Sequence, residues 1–304
     1  MEYIVRTNGI CKKYRGFSAL NGVNMNIKKG SIYGFVGKNG AGKTTMIRLL
    51  TGLQNPTSGS FELFGIKNDD KKIRLARKRM GAVVETPALF LNMTAADNLK
   101  QQYINLGLPN YDDLDELLKL VGLSDTGRKK VKNFSLGMRQ RLGIAVALVG
   151  NPDFIILDEP VNGLDPQGII EIRELILKLN KEQGITILIS SHILDELGKL
   201  ATDYGFIDKG VMVKEMSAEE LSAACSKSIR MKVSDTAKLS LIFDRMKIKY
   251  TIIDNETADV YTTLKFTQIA EAFLAEGCDI ISMEEHDETL ESYYMSLLGG
   301  EDHV

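Results

Sequence analysis

The chain has 304 residues, more than one hydrophobic core usually supports, so its length predicts two domains. Its hydrophobic fraction of 44% and charged fraction of 26% are ordinary for a globular protein, and its net charge of −2 argues against nucleic acid as the main partner. The longest apolar run, near residues 144–149, is far shorter than the ~20 residues that a membrane span needs. Residues 1–6 lack a secretory signal pattern, and three scattered cysteines favour reduced thiols, so we expect a cytoplasmic protein.

The first motif in the chain is a glycine-rich phosphate loop. Residues 37–44 fit the pattern G-x-x-x-x-G-K-[ST], with a strand candidate before them (32–36) and a helix candidate after them (45–50). The backbone N–H groups of such a loop wrap a phosphate chain, Lys43 would reach the β- and γ-phosphates, and the Thr44 hydroxyl would bind Mg²⁺. The predicted nucleotide contacts are Gly37, Lys38, Asn39, Gly40, Ala41, Gly42, Lys43, Thr44 and Thr45.

Strands and helices alternate after this loop. Short apolar segments, among them 3–7 and 23–27, precede it and read as strands. Residues 168–181 place apolar side chains at i, i+3, i+4 and i+7, which predicts one buried helical stripe. Residues 185–189 then read as a strand buried on both faces. The alternation predicts an α/β fold with a mainly parallel sheet.

A basic stretch separates two of the predicted strands. Residues 69–80 show a helical pattern and carry six lysines and arginines. We interpret the charges as a solvated helix face, with contact to acidic lipid or to nucleic acid as the alternative.

Two adjacent carboxylates end a later apolar strand. In residues 154–159, Asp158 would hold Mg²⁺ through its water shell, because hard oxygen ligands suit this cation. Glu159 is then placed to polarise an attacking water, a role typically worth ~10²–10⁴ in rate. A solvated acidic turn is the alternative, and the phosphate loop upstream argues against it.

A third segment offers another anion-binding position. Ser135 and Gly137 lie in the segment 134–141, which precedes a helix candidate at 142–149, and a small hydroxyl residue with a glycine before a helix can bind an anion. This signal is weak alone and strong in combination with the phosphate loop and the paired carboxylates.

With these motifs in order, residues 1 to about 215 resemble the nucleotide-binding subunit of ABC transporters. The resemblance implies a P-loop NTPase of ABC type, in which a parallel-sheet core is joined by an antiparallel β subdomain and by a helical subdomain at about 86–150. It also implies ATP and Mg²⁺ as cofactors and ATP hydrolysis as the activity.

The resemblance assigns further site residues. Tyr14 matches the aromatic residue that stacks on adenine in this family, with an ordinary surface or core aromatic as the alternative. Ser135 and Gly137 match the signature motif that contacts the γ-phosphate held by a partner protomer. Asp165 matches the loop that crosses the dimer interface, and His192 matches the histidine that contacts the γ-phosphate.

Two departures from the family pattern are informative. Leu136 and Met138 replace the usual glycine and glutamine of the signature motif, which keeps Ser135 but removes an amide side chain. Glu85 stands where the family usually has a glutamine that contacts Mg²⁺ and water, so we expect it to bind the metal and to repel the γ-phosphate, with a plain surface glutamate as the alternative. This glutamate, the residues after it and the tail at 290–294 resemble the ATPases of bacitracin-export and lantibiotic-immunity transporters.

The pattern of the chain changes after the first domain, which we predict to span 1–218. Residues 219–304 read as a small α+β accessory domain, in which the order β-α-β-β-α-β is typical of a ferredoxin-like fold. No residue pattern in this predicted domain indicates a particular ligand.

The resemblance implies an exporter ATPase for antimicrobial peptides, bound peripherally at the cytoplasmic face of the cell membrane. Its expected partners are a second ATPase, as a homodimer or pseudo-symmetric dimer, and a separate integral-membrane permease, with no nucleic acid. The alternatives are an exporter ATPase for sodium or a small-molecule antibiotic, and a soluble regulatory ABC-type ATPase without a permease.

Overall fold

The structure is a computed structural model that describes residues 2–224, 227–261, 266–287 and 290–299. The chain divides into two compact units, Met1–Ala218 and Glu219–Val304. Residues 300–304, the end of the predicted second domain, lie outside the described residues.

The first unit contains eleven described strands and seven described α-helices that lie wholly within it. The strands are β1 (Tyr3–Tyr14), β2 (Phe17–Val23), β3 (Asn26–Lys28), β4 (Ile32–Val36), β5 (Ser58–Leu63), β6 (Ile66–Lys67), β7 (Met80–Val83), β8 (Phe154–Asp158), β9 (Thr186–Ser191), β10 (Asp203–Asp208) and β11 (Val211–Ser217). The helices are α1 (Lys43–Thr51), α2 (Ile73–Arg77), α3 (Ala95–Leu106), α4 (Leu114–Leu120), α5 (Leu136–Leu148), α6 (Pro166–Gln183) and α7 (Leu194–Gly198).

A mainly parallel six-stranded sheet forms the centre of this unit. Its order is β11-β10-β4-β9-β8-β7, and only β11 runs antiparallel to its neighbour. Strands β4, β8 and β9 are buried along their whole length, as predicted for strands covered on both faces. Since these three are parallel neighbours, their carboxyl ends lie at one edge of the sheet, where ligands usually bind in open α/β folds.

An antiparallel sheet in the order β2-β1-β5-β6, with β3 also paired to β1, precedes the helical part. The prediction of one strand over residues 23–27 is wrong, because β2 ends at Val23 and β3 begins at Asn26. Asn24 lies between β2 and β3, and its Oδ1 accepts from the Gly9 N–H of β1 at 2.8 Å. The two strands pair with different parts of β1.

Helices α3, α4 and α5 form the helical part between β7 and β8, as the predicted subdomain at 86–150 requires. Helix α3 begins at a capping box in which Thr94 Oγ1 accepts from the Asp97 N–H at 3.1 Å, and it ends at Gly107. Helix α5 packs directly on β7: a Cβ at Gly81 would lie 1.9 Å from the carbonyl oxygen of Ala147. Only glycine allows this approach.

Helix α2 is much shorter than the helix predicted over residues 69–80. Asp70 Oδ1 accepts from the Lys72 N–H at 2.7 Å, and this local turn competes with helical hydrogen bonds before Ile73. At the other end, Met80 already belongs to β7. Ile73 and Ala76 are buried, so α2 packs against the rest of the protein through one narrow face.

The helix α6 confirms the predicted apolar stripe. Its buried positions include Ile172, Leu175, Ile176 and Leu179. Within the described residues, no helix combines the length and the apolar character needed to cross a bilayer.

The second unit contains α8 (Ala218–Ala224), which begins at the last residue of the first unit, and a four-stranded sheet with helices. The elements are β12 (Lys227–Val233), α9 (Thr236–Met246), β13 (Tyr250–Ile252), β14 (Thr257–Val260), α10 (Phe266–Ala275), β15 (Ile280–Asp287) and α11 (Leu290–Gly299). The sheet order is β13-β14-β12-β15 with antiparallel pairing throughout, so the observed elements follow the order β-α-β-β-α-β. Their apolar core includes Met231, Phe243 and Phe273.

Candidate functional site

The phosphate loop connects buried β4 to α1. Gly42 has a φ of +111°, and a Cβ at this position would lie 2.7 Å from the Ala19 carbonyl oxygen, so glycine is required for both conformation and space. The N-cap residue of α1 is Gly42 itself, which has no side chain to cap the first N–H groups of the helix. Its first N–H groups are therefore left for an anion, which the helix dipole also favours.

The lysine of this loop is a buried cation that joins the loop to the end of β8. Lys43 is 6% exposed, and its Nζ donates to the Gly37 carbonyl oxygen at 2.5 Å. The same nitrogen lies 3.4 Å from Glu159 Oε1. A phosphate entering the loop would therefore meet a positive charge that a carboxylate already balances.

The aspartate at the end of β8 has one satisfied and one unsatisfied oxygen. Asp158 is 1% exposed, and Ser190 Oγ on neighbouring β9 donates to its Oδ1. Asp158 Oδ2 is buried and has no hydrogen-bond partner among the residues that the structure describes. Buried carboxylate oxygens are normally paired, so this atom fits a ligand such as metal-bound water. The predicted Mg²⁺ position is thus chemically suited to a hard cation.

The next residue turns its carboxylate towards two predicted site residues. Glu159 has a φ of +52°, a conformation that non-glycine residues rarely adopt and that functional sites often retain. Its N–H donates to the Ser190 carbonyl oxygen at 3.0 Å. Its Oε2 lies 2.7 Å from His192 Nδ1, and its Oε1 contacts Lys43. We call the loop at 37–44 with Asp158, Glu159 and His192 the phosphate half-site.

Glu85 lies in a different pairing from the one expected. It has a φ of +59° and its side chain is 58% exposed. Its Oε1 lies 2.5 Å from Arg48 Nη2 on α1, so in this structure the carboxylate is paired with an arginine. Among the described contacts of Glu85, none reaches Thr44 or Asp158, and its metal role stays a prediction.

The signature residues lie at the start of another helix. Ser135 is the N-cap of α5 and its Oγ accepts from the Met138 N–H at 3.2 Å. Asp165 is the N-cap of α6 and its Oδ1 accepts from the Gly168 N–H at 3.0 Å. Together with Gly137 these residues line an open cavity of about 480 Å³. We call Ser135, Gly137 and Asp165 the signature face.

Tyr14 stands at the end of β1 and is 40% exposed. Its hydroxyl donates to Gln54 Oε1 at 2.5 Å, and Lys12 Nζ lies 5.3 Å from the ring centre. The ring is thus held in place with much of its surface open, which suits stacking, and its role with adenine stays a prediction.

Sequence reasoning missed two residues of this region. Ser190 contacts both Asp158 and the backbone of Glu159, and its position at the end of a buried strand beside β8 is the signal that could have found it. Arg48 was missed because nothing in the sequence places it beside Glu85.

The sequence pattern that defines the family described as ABC transporter matches residues 20–162. The bacitracin transport ATP-binding protein BcrA of Bacillus licheniformis is 40% identical over 306 residues, which cover 99% of this chain and 99% of BcrA. The chain belongs to the ABC transporter ATP-binding proteins. It is therefore an ATP-binding and ATP-hydrolysing transporter subunit, and the predicted ABC-type fold is confirmed.

Two further similarities cover only part of this ABC transporter subunit. The lantibiotic transport ATP-binding protein SrtF of Streptococcus pyogenes is 45% identical over 212 residues, which cover 70% of this chain and 90% of SrtF. The dimeric structure of the ATP-binding cassette MJ0796, bound to ADP and phosphate, is 28% identical with a TM-score of 0.64 and covers 70% of this chain and 98% of that cassette.

Proposed function

We propose that two copies of this ATPase pair head to tail and drive a separate permease that exports peptide antibiotics of the bacitracin type. Each ATP would lie between the phosphate half-site of one copy and the signature face of the other. One observation carries this proposal. Lys43, Glu159 and His192 of the phosphate half-site contact one another, whereas the signature face lines an open cavity of its own.

The phosphate half-site would bind and orient the triphosphate. Lys43 and the free N–H groups at the start of α1 supply the positive charge that the β- and γ-phosphates require. Glu159 would leave Lys43 as the phosphate replaces its carboxylate, and it would then accept a proton from the attacking water. His192, 2.7 Å from that carboxylate, would hold it in position.

Mg²⁺ would be held by Thr44 and, through water, by Asp158, whose unpaired Oδ2 supports this assignment. When bound, the cation neutralises charge on the phosphate oxygens. The protein's own contribution is to keep Asp158 fixed through the Ser190 hydrogen bond and to exclude bulk water from its surroundings.

The signature face would complete the site of the partner copy. Ser135 and Asp165 cap their own helices, so hydrogen bonds within the same copy hold their side chains. The dimeric state of MJ0796 supports a paired arrangement for this chain as well.

An exposed apolar segment after β7 is the surface that we assign to the permease. Phe90, Leu91 and Met93 are 51%, 47% and 37% exposed, more apolar surface than a loop usually leaves in water. Buried Asn98 fixes this loop: its Oδ1 accepts from the Phe90 N–H at 2.8 Å and its Nδ2 donates to the Phe90 carbonyl oxygen at 3.1 Å. A surface that is ordered before binding loses less entropy on association.

The similarity to BcrA over 99% of both chains supports a bacitracin-type substrate. The similarity to SrtF covers only 70% of this chain. The similarity to BcrA, at 99% of this chain, includes the sequence of the second unit.

A variant that binds ATP without hydrolysing it tests the paired mechanism. Glu159→Gln is expected to form a dimer on a sizing column with ATP and to stay a monomer with ADP. A Glu174→Gln variant, which changes an exposed carboxylate on α6, is expected to show no stable ATP dimer. A Glu159→Gln protein that remains monomeric with saturating ATP contradicts the proposal.

Drug sensitivity of cells tests the substrate. Deleting the gene is expected to raise sensitivity to bacitracin, and the wild-type gene, but not Glu159→Gln, is expected to restore resistance. Unchanged sensitivity to bacitracin and to lantibiotics would exclude the peptide-antibiotic substrate while leaving the ATPase mechanism intact.

A further inference from the structure

The region around α2 is strongly basic, although the chain as a whole is not. Residues 67–79 contain seven lysines and arginines and two aspartates, whereas the whole protein has a net charge of −2. The ATPase mechanism above uses none of these residues.

Two of the seven cations have structural roles. Arg79 Nε lies 2.7 Å from Asp153 Oδ2, and its guanidinium lies 4.1 Å from the ring centre of Phe64. Arg77 Nε donates to the Leu50 carbonyl oxygen at 3.3 Å, and burial lowers the pKa of Arg77. These two arginines fix the region to the protein.

The other five cations are exposed. None of their side chains pairs with a carboxylate anywhere in the described part of the chain. We call these five the basic surface: Lys67, Lys71, Lys72, Arg74 and Lys78. Unpaired cations this close together repel one another, which favours an anionic partner.

Two exposed leucines accompany the basic surface. Leu75 lies within α2 and is 59% exposed, while Ile73 and Ala76 on the same helix are buried. Leu53 is 65% exposed and directly follows Gly52, whose Cβ position would lie 2.5 Å from the Arg77 guanidinium carbon. An exposed aliphatic side chain among cations can enter a bilayer interface while the cations contact anionic headgroups.

We propose that the basic surface, with Leu75, binds the headgroups of an anionic lipid bilayer directly, independently of any permease. The cations would contact the lipid phosphates, and Leu75 would enter the boundary between headgroups and acyl chains. A nucleic acid is the less suitable partner, because residues 67–79 contain no aromatic residue on which a base of a single strand could stack and the whole chain has a net charge of −2.

Vesicle sedimentation with the purified full chain, without nucleotide or permease, tests this proposal. Binding is expected to vesicles of phosphatidylcholine with about one third phosphatidylglycerol and not to phosphatidylcholine alone. It is expected to weaken as salt is raised, because the attraction falls off within a Debye length.

Two variants and one matched control locate the binding. Changing Lys71, Lys72, Arg74 and Lys78 together to Gln is expected to lower affinity on the order of 100-fold or more. Leu75→Ser is expected to lower it roughly tenfold without changing the charge. The control changes Lys100, Arg128, Lys130 and Lys181 to Gln, which removes the same charge from exposed positions elsewhere, and is expected to retain most of the binding.

Three outcomes would overturn the proposal. They are equal binding to neutral and anionic vesicles, equal loss in the control variant, or no vesicle binding together with salt-sensitive binding of a DNA duplex that the fourfold variant loses. The last result would assign the surface to nucleic acid. None of these outcomes affects the ATPase mechanism, whose test is the dimerisation of Glu159→Gln.

Discussion

The phosphate half-site and the signature face differ in what holds their polar groups. In the phosphate half-site, Lys43 and His192 both contact the carboxylate of Glu159, so side chains from three segments meet. On the signature face, Ser135 and Asp165 each bond only to the first turn of their own helix in the contacts described. A ligand that enters the phosphate half-site can replace contacts there, whereas the hydrogen bonds of the signature face lie within its own helices and can remain when a ligand binds.

Substitutions in the two groups should therefore have separate effects. Changes in the phosphate half-site should act on the chemical step and on metal binding. Changes in the signature face should act on helix stability and on pairing of two copies.

The largest expected effect is on catalysis. Glu159→Gln should lower kcat for ATP hydrolysis ~10²–10⁴-fold, because the amide cannot accept the proton of water. Phosphate release at saturating Mg-ATP measures it, with Glu174→Gln as the control. A loss smaller than about tenfold would mean that another group is the general base.

The next effect tests how Asp158 is held. Ser190→Ala removes the hydrogen bond to Asp158 Oδ1, and loss of such a supporting contact typically lowers metal affinity 10–100-fold. The dependence of ATPase activity on Mg²⁺ concentration measures it. Ser191→Ala, which loses a bond to the Ile193 N–H instead, should leave that dependence near wild type.

A pair of capping variants separates stability from assembly. Ser135→Ala and Thr94→Ala each remove a helix N-cap and should each cost about 1 kcal/mol in the free energy of unfolding, measured in urea. In the Glu159→Gln background, only Ser135→Ala should also weaken the ATP-dependent dimer. If both variants weaken it equally, the signature face has no specific role.

The smallest effect is expected at the exposed pair of Glu85 and Arg48. Glu85→Gln and Arg48→Met should each change stability by less than about 1 kcal/mol, because exposed ion pairs contribute little. If Glu85 binds Mg²⁺ during the cycle, only Glu85→Gln should raise the Mg²⁺ concentration needed for ATPase activity. An equal rise in both variants would indicate that the ion pair itself matters.

Patterns that combine spacing with local chemistry were readable from the sequence. The glycine-rich loop, the strand ending at Asp158 and the apolar stripe of α6 each depend on residues that are close in the chain. These features agree with the structure because local geometry and burial impose the same pattern.

Features set by distant contacts were not readable. The break between β2 and β3 depends on a bond from Gly9 to Asn24, and the ion pair of Glu85 depends on Arg48, which is 37 positions away. The short α2 has a different cause, because the turn at Asp70 that competes with helix formation is local in the chain. In each case a specific hydrogen bond or ion pair overrides the pattern of hydrophobicity and charge.

The contact between Gly81 and Ala147 has a mechanical consequence. It leaves no space between β7 and the last turn of α5, whose first turn carries the signature residues about 18 Å away. A force applied to the segment that follows β7 should therefore tilt α5 as a rigid lever and move Ser135 at its far end. Adding even one methyl group at Gly81 would push α5 away from β7 and weaken this mechanical connection.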